Sequence, residues 1–181
     1  DRIESRGLGD VYKRQLQVYP NNDLRPETAI NIEAGFKQGL KMGGFQGFLD
    51  VAGFYQEYDN FIEFTFGQWG NPVTDALAGN GFRSLNTGSS RVTGWETSLM
   101  GRATWGEATL DVLAGYTYTN PVSLTPDYLY SVITNAAGDT IGGASYNNTS
   151  LDTTGQVLKY RSQDLVRFDA ELRRGPWFIG A

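Results

Sequence analysis

The sequence contains no cysteine and no histidine among its 181 residues. Without cysteine the chain cannot form a disulfide framework or a thiolate metal site, and without histidine it lacks the commonest general base and metal ligand. The formal net charge of −5 provides no basic surface for nucleic acid. No apolar run approaches the roughly 18–20 residues of a membrane-spanning helix. These absences disfavour most enzyme classes, nucleic-acid binding and a helical membrane protein.

Aromatic residues and glycine, by contrast, are abundant. The chain is 13% aromatic and has 23 glycines, a composition typical of strands joined by turns. Its mean hydropathy of −0.37 is ordinary for a water-soluble protein. A transmembrane β-barrel is the exception to this interpretation, because its strands are apolar on one side only and its loops are polar.

The first fifteen residues differ from the remainder of the chain. The stretch SRGLGDVYKRQ, Ser5 to Gln15, has no apolar alternation. Translated back into codons, it resembles without a mismatch the transposase adapter used to prepare DNA sequencing libraries, and the preceding DRIE also fits that adapter. We therefore expect residues 1–15 to be a non-native, adapter-derived segment outside the fold. The alternative is a natural charged N-terminal arm.

From residue 16 onward the dominant pattern has a period of two, which is typical of strands with one wet face. Between residues 107 and 119, for example, Leu110, Val112 and Ala114 alternate with Thr109 and Asp111. The pattern predicts strands near residues 28–40, 45–62, 90–104, 107–119 and 157–174, and an incipient strand at the C-terminal end.

Short and long connections alternate along the chain. Glycine-containing turns at residues 41–44, 105–106 and 174–176 predict hairpins. Long polar connections span about 63–89 and 120–156. Outer-membrane barrels combine short turns on one side with long loops on the other, whereas compact soluble domains rarely need such long loops. The sequence therefore predicts an all-β fold: an antiparallel β-meander of about six strands that forms an open segment of a transmembrane β-barrel.

The two faces of these strands have different expected surroundings. A charge facing lipid at mid-depth costs roughly 2–4 kcal/mol, so the apolar side should meet the membrane and the polar side the lumen. We expect plain solvation, rather than a specific binding role, for the lumen charges. The predicted lipid-facing residues are Ile30, Ile32, Ala34, Phe36, Leu110, Val112, Ala114, Val166, Phe168 and Ala170. The predicted lumen residues are Asn31, Glu33, Lys37, Thr109, Asp111, Arg167, Asp169, Glu171 and Arg173.

Aromatic residues occur near both ends of the predicted strands. Trp105 and Trp177 flank short turns, whereas Tyr58 and Tyr116 precede long loops. This placement predicts the two aromatic girdles of a membrane barrel. Aromatic residues that pack a soluble β-sheet core are the alternative interpretation.

Four segments resemble, in order, the barrel of TonB-dependent outer-membrane receptors. The first, NNDLRPETAINIEAGFK (Asn21 to Lys37), is similar to the family's Asn-Pro-x-Leu-x-Pro-Glu segment and following strand, although Asn22 stands where the family often has proline. The others are FLDVAGFYQEYDNFIE (Phe48 to Glu63), SSRVTGWETSLMGRA (Ser89 to Ala103) and LAGYTYTNP (Leu113 to Pro121). LKYRSQDLVRFDAEL resembles the next strand more loosely.

The resemblance implies a function in the cell outer membrane. Such receptors are 22-stranded barrels, occluded by a plug domain, that take up a scarce bulky ligand (siderophore, cobalamin or glycan) with energy transmitted through TonB. Residues 16–181 would then be a partial barrel, truncated at both ends, whose partners are outer-membrane lipid, the ligand and, in the full-length protein, the plug and TonB. No cofactor, enzymatic activity or nucleic-acid partner is expected. The alternatives are a non-transporting barrel such as a porin or adhesin, and a soluble β-sheet binding module.

Loop aromatics are the candidate ligand contacts, because rigid rings supply a large contact area at low entropic cost. Packing of the loops against one another is the alternative for each ring. The candidates are Phe64, Phe66, Trp69 and Phe82, with Tyr128, Tyr130 and Tyr146 behind them.

A calcium site is the alternative role for one polar region of the chain. Asp139, Asp152 and the pair Asn147 and Asn148 lie in one polar region and offer oxygen ligands. They lack the spacing of a known calcium loop, so we expect no metal site.

Overall fold

The computed structural model describes residues 17–71, 73–135, 137–159 and 161–181. The adapter-like segment 1–15 lies outside the described residues. The chain divides into two compact units, and each is described by itself. The larger unit comprises residues 29–58, 89–126 and 150–181, and the smaller comprises the described part of 1–28 with 59–88 and 127–149.

The described residues form eleven strands and one short helix. The strands of the first half are β1 (Gln17–Tyr19), β2 (Thr28–Met42), β3 (Phe45–Asp59), β4 (Ile62–Gln68) and β5 (Asn80–Asn86). Those of the second half are β6 (Ser90–Trp105), β7 (Ala108–Ser123), β8 (Ser131–Thr134), β9 (Thr140–Ala144), β10 (Asp164–Arg174) and β11 (Trp177–Gly180). The helix α1 is Tyr146–Thr149, and 3-10 turns occupy Ala76–Gly79 and Thr154–Gln156.

A six-stranded sheet forms the larger unit. Its strand order is β11-β10-β7-β6-β3-β2, so every strand lies next to the strand that precedes or follows it among these six. The pairs β3–β6, β6–β7, β7–β10 and β10–β11 are antiparallel. The predicted antiparallel meander is confirmed.

Glycine forms the first residue of each short hairpin turn in this sheet. Gly43, Gly106 and Gly175 have φ values of 56°, 58° and 56°, a region that L side chains rarely occupy. The second turn residues are Gly44, Glu107 and Pro176, none of which has a positive φ. This combination is the one that a type II′ hairpin turn requires, and its twist matches that of the flanking strands.

The register places the predicted lipid-facing residues on one side of the sheet. Phe168 lies opposite Ala114, which in turn lies opposite Leu99. On the other side Asp169 lies opposite Leu113, and Leu113 opposite Met100. Because successive side chains point to opposite faces, one face is apolar in the middle of the strands and the other carries the predicted lumen charges. Glu57, Arg91 and Asp164 lie on the first face at its loop end.

Aromatic side chains lie toward both ends of the apolar face. At the loop end, the rings of Trp95 and Tyr116 lie 5.0 Å apart between centroids. At the turn end, Trp105 is the last residue of β6 and Trp177 the first of β11. Both tryptophans are exposed, as expected for rings that face an interfacial layer rather than a protein core.

Three strand boundaries differ by three or more residues from those that the sequence predicts. β7 continues to Ser123, four residues beyond its predicted end. β3 ends at Asp59 because Asn60 has a φ of 53°, which breaks the extended backbone before β4 begins. β10 begins at Asp164, seven residues later than predicted. Before it, Val157 makes an isolated antiparallel bridge to Val122, and the Leu158 amide donates to the Pro121 carbonyl at 2.9 Å. This segment therefore pairs locally before the long strand begins.

The smaller unit contains the parts of the long connections that the sequence did not resolve into strands. A three-stranded sheet has the order β1-β5-β4, with β1 parallel and β4 antiparallel to β5. A separate two-stranded sheet consists of β8 and β9. Leu85 and Tyr146 are the buried hydrophobic side chains described in this unit.

Across the described residues, no helix has the length and apolar character needed to cross a membrane.

Candidate ligand-binding surface

Three of the predicted contact residues meet on one face of the three-stranded sheet. Phe64 and Phe66 are two residues apart in β4, so their side chains point the same way, and Phe66 lies opposite Phe82 of β5. The Phe64 and Phe82 rings stack at 4.8 Å between centroids and 6° between planes. The Phe66 ring meets Phe82 edge-on at 5.3 Å and 67°. Both arrangements are favourable aromatic geometries.

A fourth apolar residue extends this face. Val18 lies opposite Phe82 in the parallel pair β1–β5 and is 67% exposed. Phe64 and Phe66 are 56% and 54% exposed. We call Val18, Phe64, Phe66 and Phe82 the aromatic platform. The parallel pairing joins segments more than sixty residues apart, so no local sequence signal could have identified Val18.

Trp69, also a predicted contact, lies on the opposite face of the same sheet. Its indole N–H donates to the Thr65 carbonyl at 3.3 Å, and its ring lies 5.9 Å from the Arg83 guanidinium carbon. Arg83 also donates to the Asn21 side-chain oxygen at 3.2 Å. Trp69 and Arg83 therefore form a cation–π pair that is separate from the aromatic platform.

The three predicted tyrosines are dispersed. The Tyr128 hydroxyl accepts a hydrogen bond from Arg25 at 3.2 Å. Tyr130 is half-buried, its hydroxyl lies 2.8 Å from the Thr149 hydroxyl, and burial is the main cause that raises the pKa of its phenol. Tyr146 is 7% exposed. Tyr130 and Tyr146 thus have local packing partners, whereas Tyr128 retains an accessible ring.

Hydrogen bonds from residues 25–27 stabilise the ends of β4 and β5 that lie nearest Phe64. The Asn86 side chain accepts from the Arg25 amide at 2.8 Å and donates to the Arg25 and Asn60 carbonyls at 2.9 and 2.7 Å. Glu27 accepts from the Ile62 amide at 2.8 Å. Asn86 was not a predicted site residue. In the sequence Asn86 is only an asparagine that follows an alternating segment. Asparagine is common in loops, so this position did not indicate a structural role.

The residues of the calcium alternative form local hydrogen bonds. Asp139 accepts from the Asn135 side chain at 3.0 Å, and Asn147 donates to Asp127 at 2.7 Å. Asp152, in the other unit, accepts from the Thr154 amide at 2.8 Å, and this hydrogen bond lowers the pKa of its carboxyl. Among the described residues, no three histidine, cysteine, aspartate or glutamate side chains are close enough to share a metal ion.

The polar face of the six-stranded sheet carries paired charges. Lys37 lies 3.1 Å from Asp50, and Arg102 binds Asp111 through two hydrogen bonds of 2.6 and 2.9 Å. Arg173 pairs with Glu171. A depression of about 800 Å³ on this face is lined by Phe48, Met100 and Leu113 together with the Arg102–Asp111 ion pair. The face therefore combines neutralised ion pairs with an apolar strip.

These features together define a class of protein. Long antiparallel strands in a meander, one face apolar with aromatic ends, the other charged, and short turns opposite structured loops are the properties of a transmembrane β-barrel segment.

Comparison with protein families identifies the class more closely. The family model described as TonB dependent receptor-like, beta-barrel matches residues 5–180. Because the match covers nearly the entire chain, the chain belongs to the TonB-dependent receptor β-barrel family. Members of this family are outer-membrane transport receptors rather than enzymes. The match begins inside the adapter-like segment, whose origin stays a prediction. No curated protein and no solved structure matches the chain.

Proposed function

We propose that the chain is part of the barrel of a TonB-dependent receptor that actively takes up a scarce bulky ligand (siderophore, cobalamin or glycan) across the outer membrane. The observation that supports this function, beyond family membership, is the exposed aromatic platform in the smaller unit. In the full-length receptor we expect a plug domain to occupy the lumen and TonB to supply energy.

The platform has the physical properties of a binding surface. Its three rings contact one another in stacked and edge-on geometry, so they are ordered before a ligand arrives. Ordering in advance reduces the conformational entropy that binding would otherwise cost. Large apolar side chains that remain more than half exposed are candidates for an interaction surface.

The other predicted contacts receive different roles in this proposal. Tyr130 and Tyr146 shape the β8–β9 region through local packing, and Trp69 supports the platform from behind by covering Arg83. Tyr128, which is 39% exposed, is a secondary contact held in place by Arg25. The bulky ligand would therefore contact the platform first.

A pair of ring deletions on opposite faces tests the platform. Phe66→Ala removes a platform ring, and Trp69→Ala removes a ring of the same three-stranded sheet from the other face. Binding of a ferric siderophore, cobalamin and oligosaccharides to whole cells would be measured together with surface expression. For the probe that the receptor binds, Phe66→Ala should lower affinity by about tenfold, the scale of one aromatic contact, whereas Trp69→Ala should have a smaller effect.

Unchanged affinity of Phe66→Ala at normal surface expression would contradict the binding role. Uptake in cells without TonB provides the second arm. Loss of uptake there supports active transport, whereas uptake that persists would indicate a passive porin-type barrel.

A further inference from the structure

The described residues of the smaller unit carry an excess of negative charge. They include seven carboxylates and only two basic side chains, for a formal net charge of −5. The described part of the unit is therefore acidic, and an acidic surface raises the local concentration of cations and lowers that of anions. The carboxylates are Asp23, Glu27, Asp59, Glu63, Asp75, Asp127 and Asp139, and the basic residues are Arg25 and Arg83.

Neither arginine of this unit is directed to the aromatic platform. Arg83 belongs to the opposite face of the sheet, where it packs on Trp69 and donates to Asn21. Arg25 donates to the Tyr128 hydroxyl. An anionic ligand on the platform would have no cation prepared for it among the described residues of this unit, and it would be repelled by the net charge.

We propose that the aromatic platform recognises a cationic small molecule with a flat apolar body. This inference rests on the proposed function, because it specifies the ligand for the same surface. The flat apolar body packs on the Phe64, Phe66 and Val18 side chains. The positive charge is favoured by the net negative charge of the described part of the unit.

The rings themselves favour the same ligand charge. The face of a phenyl ring is the negative end of its quadrupole, and a quaternary ammonium group within about 6 Å of the ring is attracted to it. Phe64 and Phe82 stack with each other, so at most one face of each remains for a ligand. A cation that lies over these faces gains from the rings and from the net negative charge of the described part of the unit.

The test uses three naphthalene derivatives of similar size. They carry a trimethylammonium, a carboxamide or a sulfonate group, so their charges are positive, neutral and negative. Binding to the full chain in lipid nanodiscs would be measured by saturation-transfer NMR at about 20 mM and about 1 M salt, where the screening length is roughly 20 and 3 Å. A Phe66→Ser, Phe82→Ser double variant reports the platform-dependent part. Ile133→Ser, in β8, is the matched control for loss of an exposed apolar side chain.

The expected result is platform-dependent binding in which the cation binds on the order of tenfold tighter than the anion at low salt, with the difference nearly lost at high salt. The neutral compound should show little salt dependence, and Ile133→Ser should behave as the parent. Equal platform-dependent binding of all three compounds, or tighter binding of the anion, would overturn charge selection and leave the platform as a binding surface. If the double variant binds all three as the parent does, the proposed function fails as well.

Discussion

At the scale of single residues, glycine at the short turns determines whether adjacent strands can be joined directly. Gly106 connects β6 and β7 with a φ of 58°, and open space surrounds the position of a β-carbon there. Any cost of a side chain at this position therefore comes from backbone conformation and not from a clash. Gly39 of β2 also has open space but no positive φ, so it is a matched reference.

We predict that Gly106→Ala lowers the free energy of unfolding by about 1–2 kcal/mol, the cost of a left-handed φ for an L residue. Gly39→Ala should be neutral or slightly stabilising, because alanine restricts the unfolded chain without strain in the folded state. Urea unfolding in lipid vesicles, followed by tryptophan fluorescence, measures both. Equal stability of the two variants would contradict the turn geometry.

At the scale of secondary structure, the period-two pattern predicted the long strands well. β2, β6 and β7 begin within one residue of the predicted positions and end within four, because large apolar residues recur with a period of two or four on one face of each strand. The stretch Ile62–Gln68 also alternates, with Ile62, Phe64 and Phe66 on one face. The surrounding segment is rich in glycine and polar residues, so the sequence predicts a long connection there instead of a strand.

The candidate surface was predictable in part, for the same reason. Alternation alone places Phe64 and Phe66 together, and a hairpin pairing then adds Phe82. The position of Trp69 behind the sheet depends on its contact with Arg83, and the addition of Val18 depends on a distant parallel strand. Such non-local pairings are determined by tertiary packing, which local patterns do not encode.

Tyr130, the residue before β8, has a half-buried phenol and provides a prediction at this scale. Burial is the first cause of the raised pKa of Tyr130, and Glu63 adds to it. The folded state therefore holds the phenol proton more tightly than the unfolded chain, whose pKa is near 10.0. The stability that this proton contributes is complete below pH 10 and is lost as the pH rises through the raised pKa of the folded state.

We expect the urea midpoint of the protein to fall as the pH rises above the unfolded-state pKa of 10.0, and to fall less in Tyr130→Phe. Tyr128→Phe, which removes a more exposed phenol of the same unit, is the control and should retain the decline. Absorbance at 295 nm would follow phenolate formation in parallel. An identical pH dependence in Tyr130→Phe and the parent would show that this phenol is not the group responsible.

At the scale of the whole molecule, the six-stranded sheet separates two environments with strands that are polar on average. Among the described residues of the larger unit no protein layer covers its apolar face, since Ile32, Phe36, Val166 and Phe168 are all exposed. Exposed apolar residues over an entire sheet face would cause aggregation in water. They are the expected surface of a protein whose solvent on that side is lipid.

The adjacent residues Ala114 and Leu113, near the middle of β7, test which solvent each face meets. Ala114 lies between Leu99 and Phe168 on the apolar face, whereas Leu113 lies between Met100 and Asp169 on the polar face. We predict that Ala114→Arg lowers the free energy of unfolding from lipid vesicles by about 2–4 kcal/mol, because the guanidinium must enter hydrocarbon at mid-depth. Leu113→Arg should cost less, since Asp169 opposite can pair with the new charge in a wet environment.

Unfolding in vesicles of thin and thick bilayers would be compared for both variants. If the two arginine variants are equally destabilised, or if Leu113→Arg is the worse, the assignment of faces to lipid and lumen is wrong for the entire sheet, because the register couples every strand to β7.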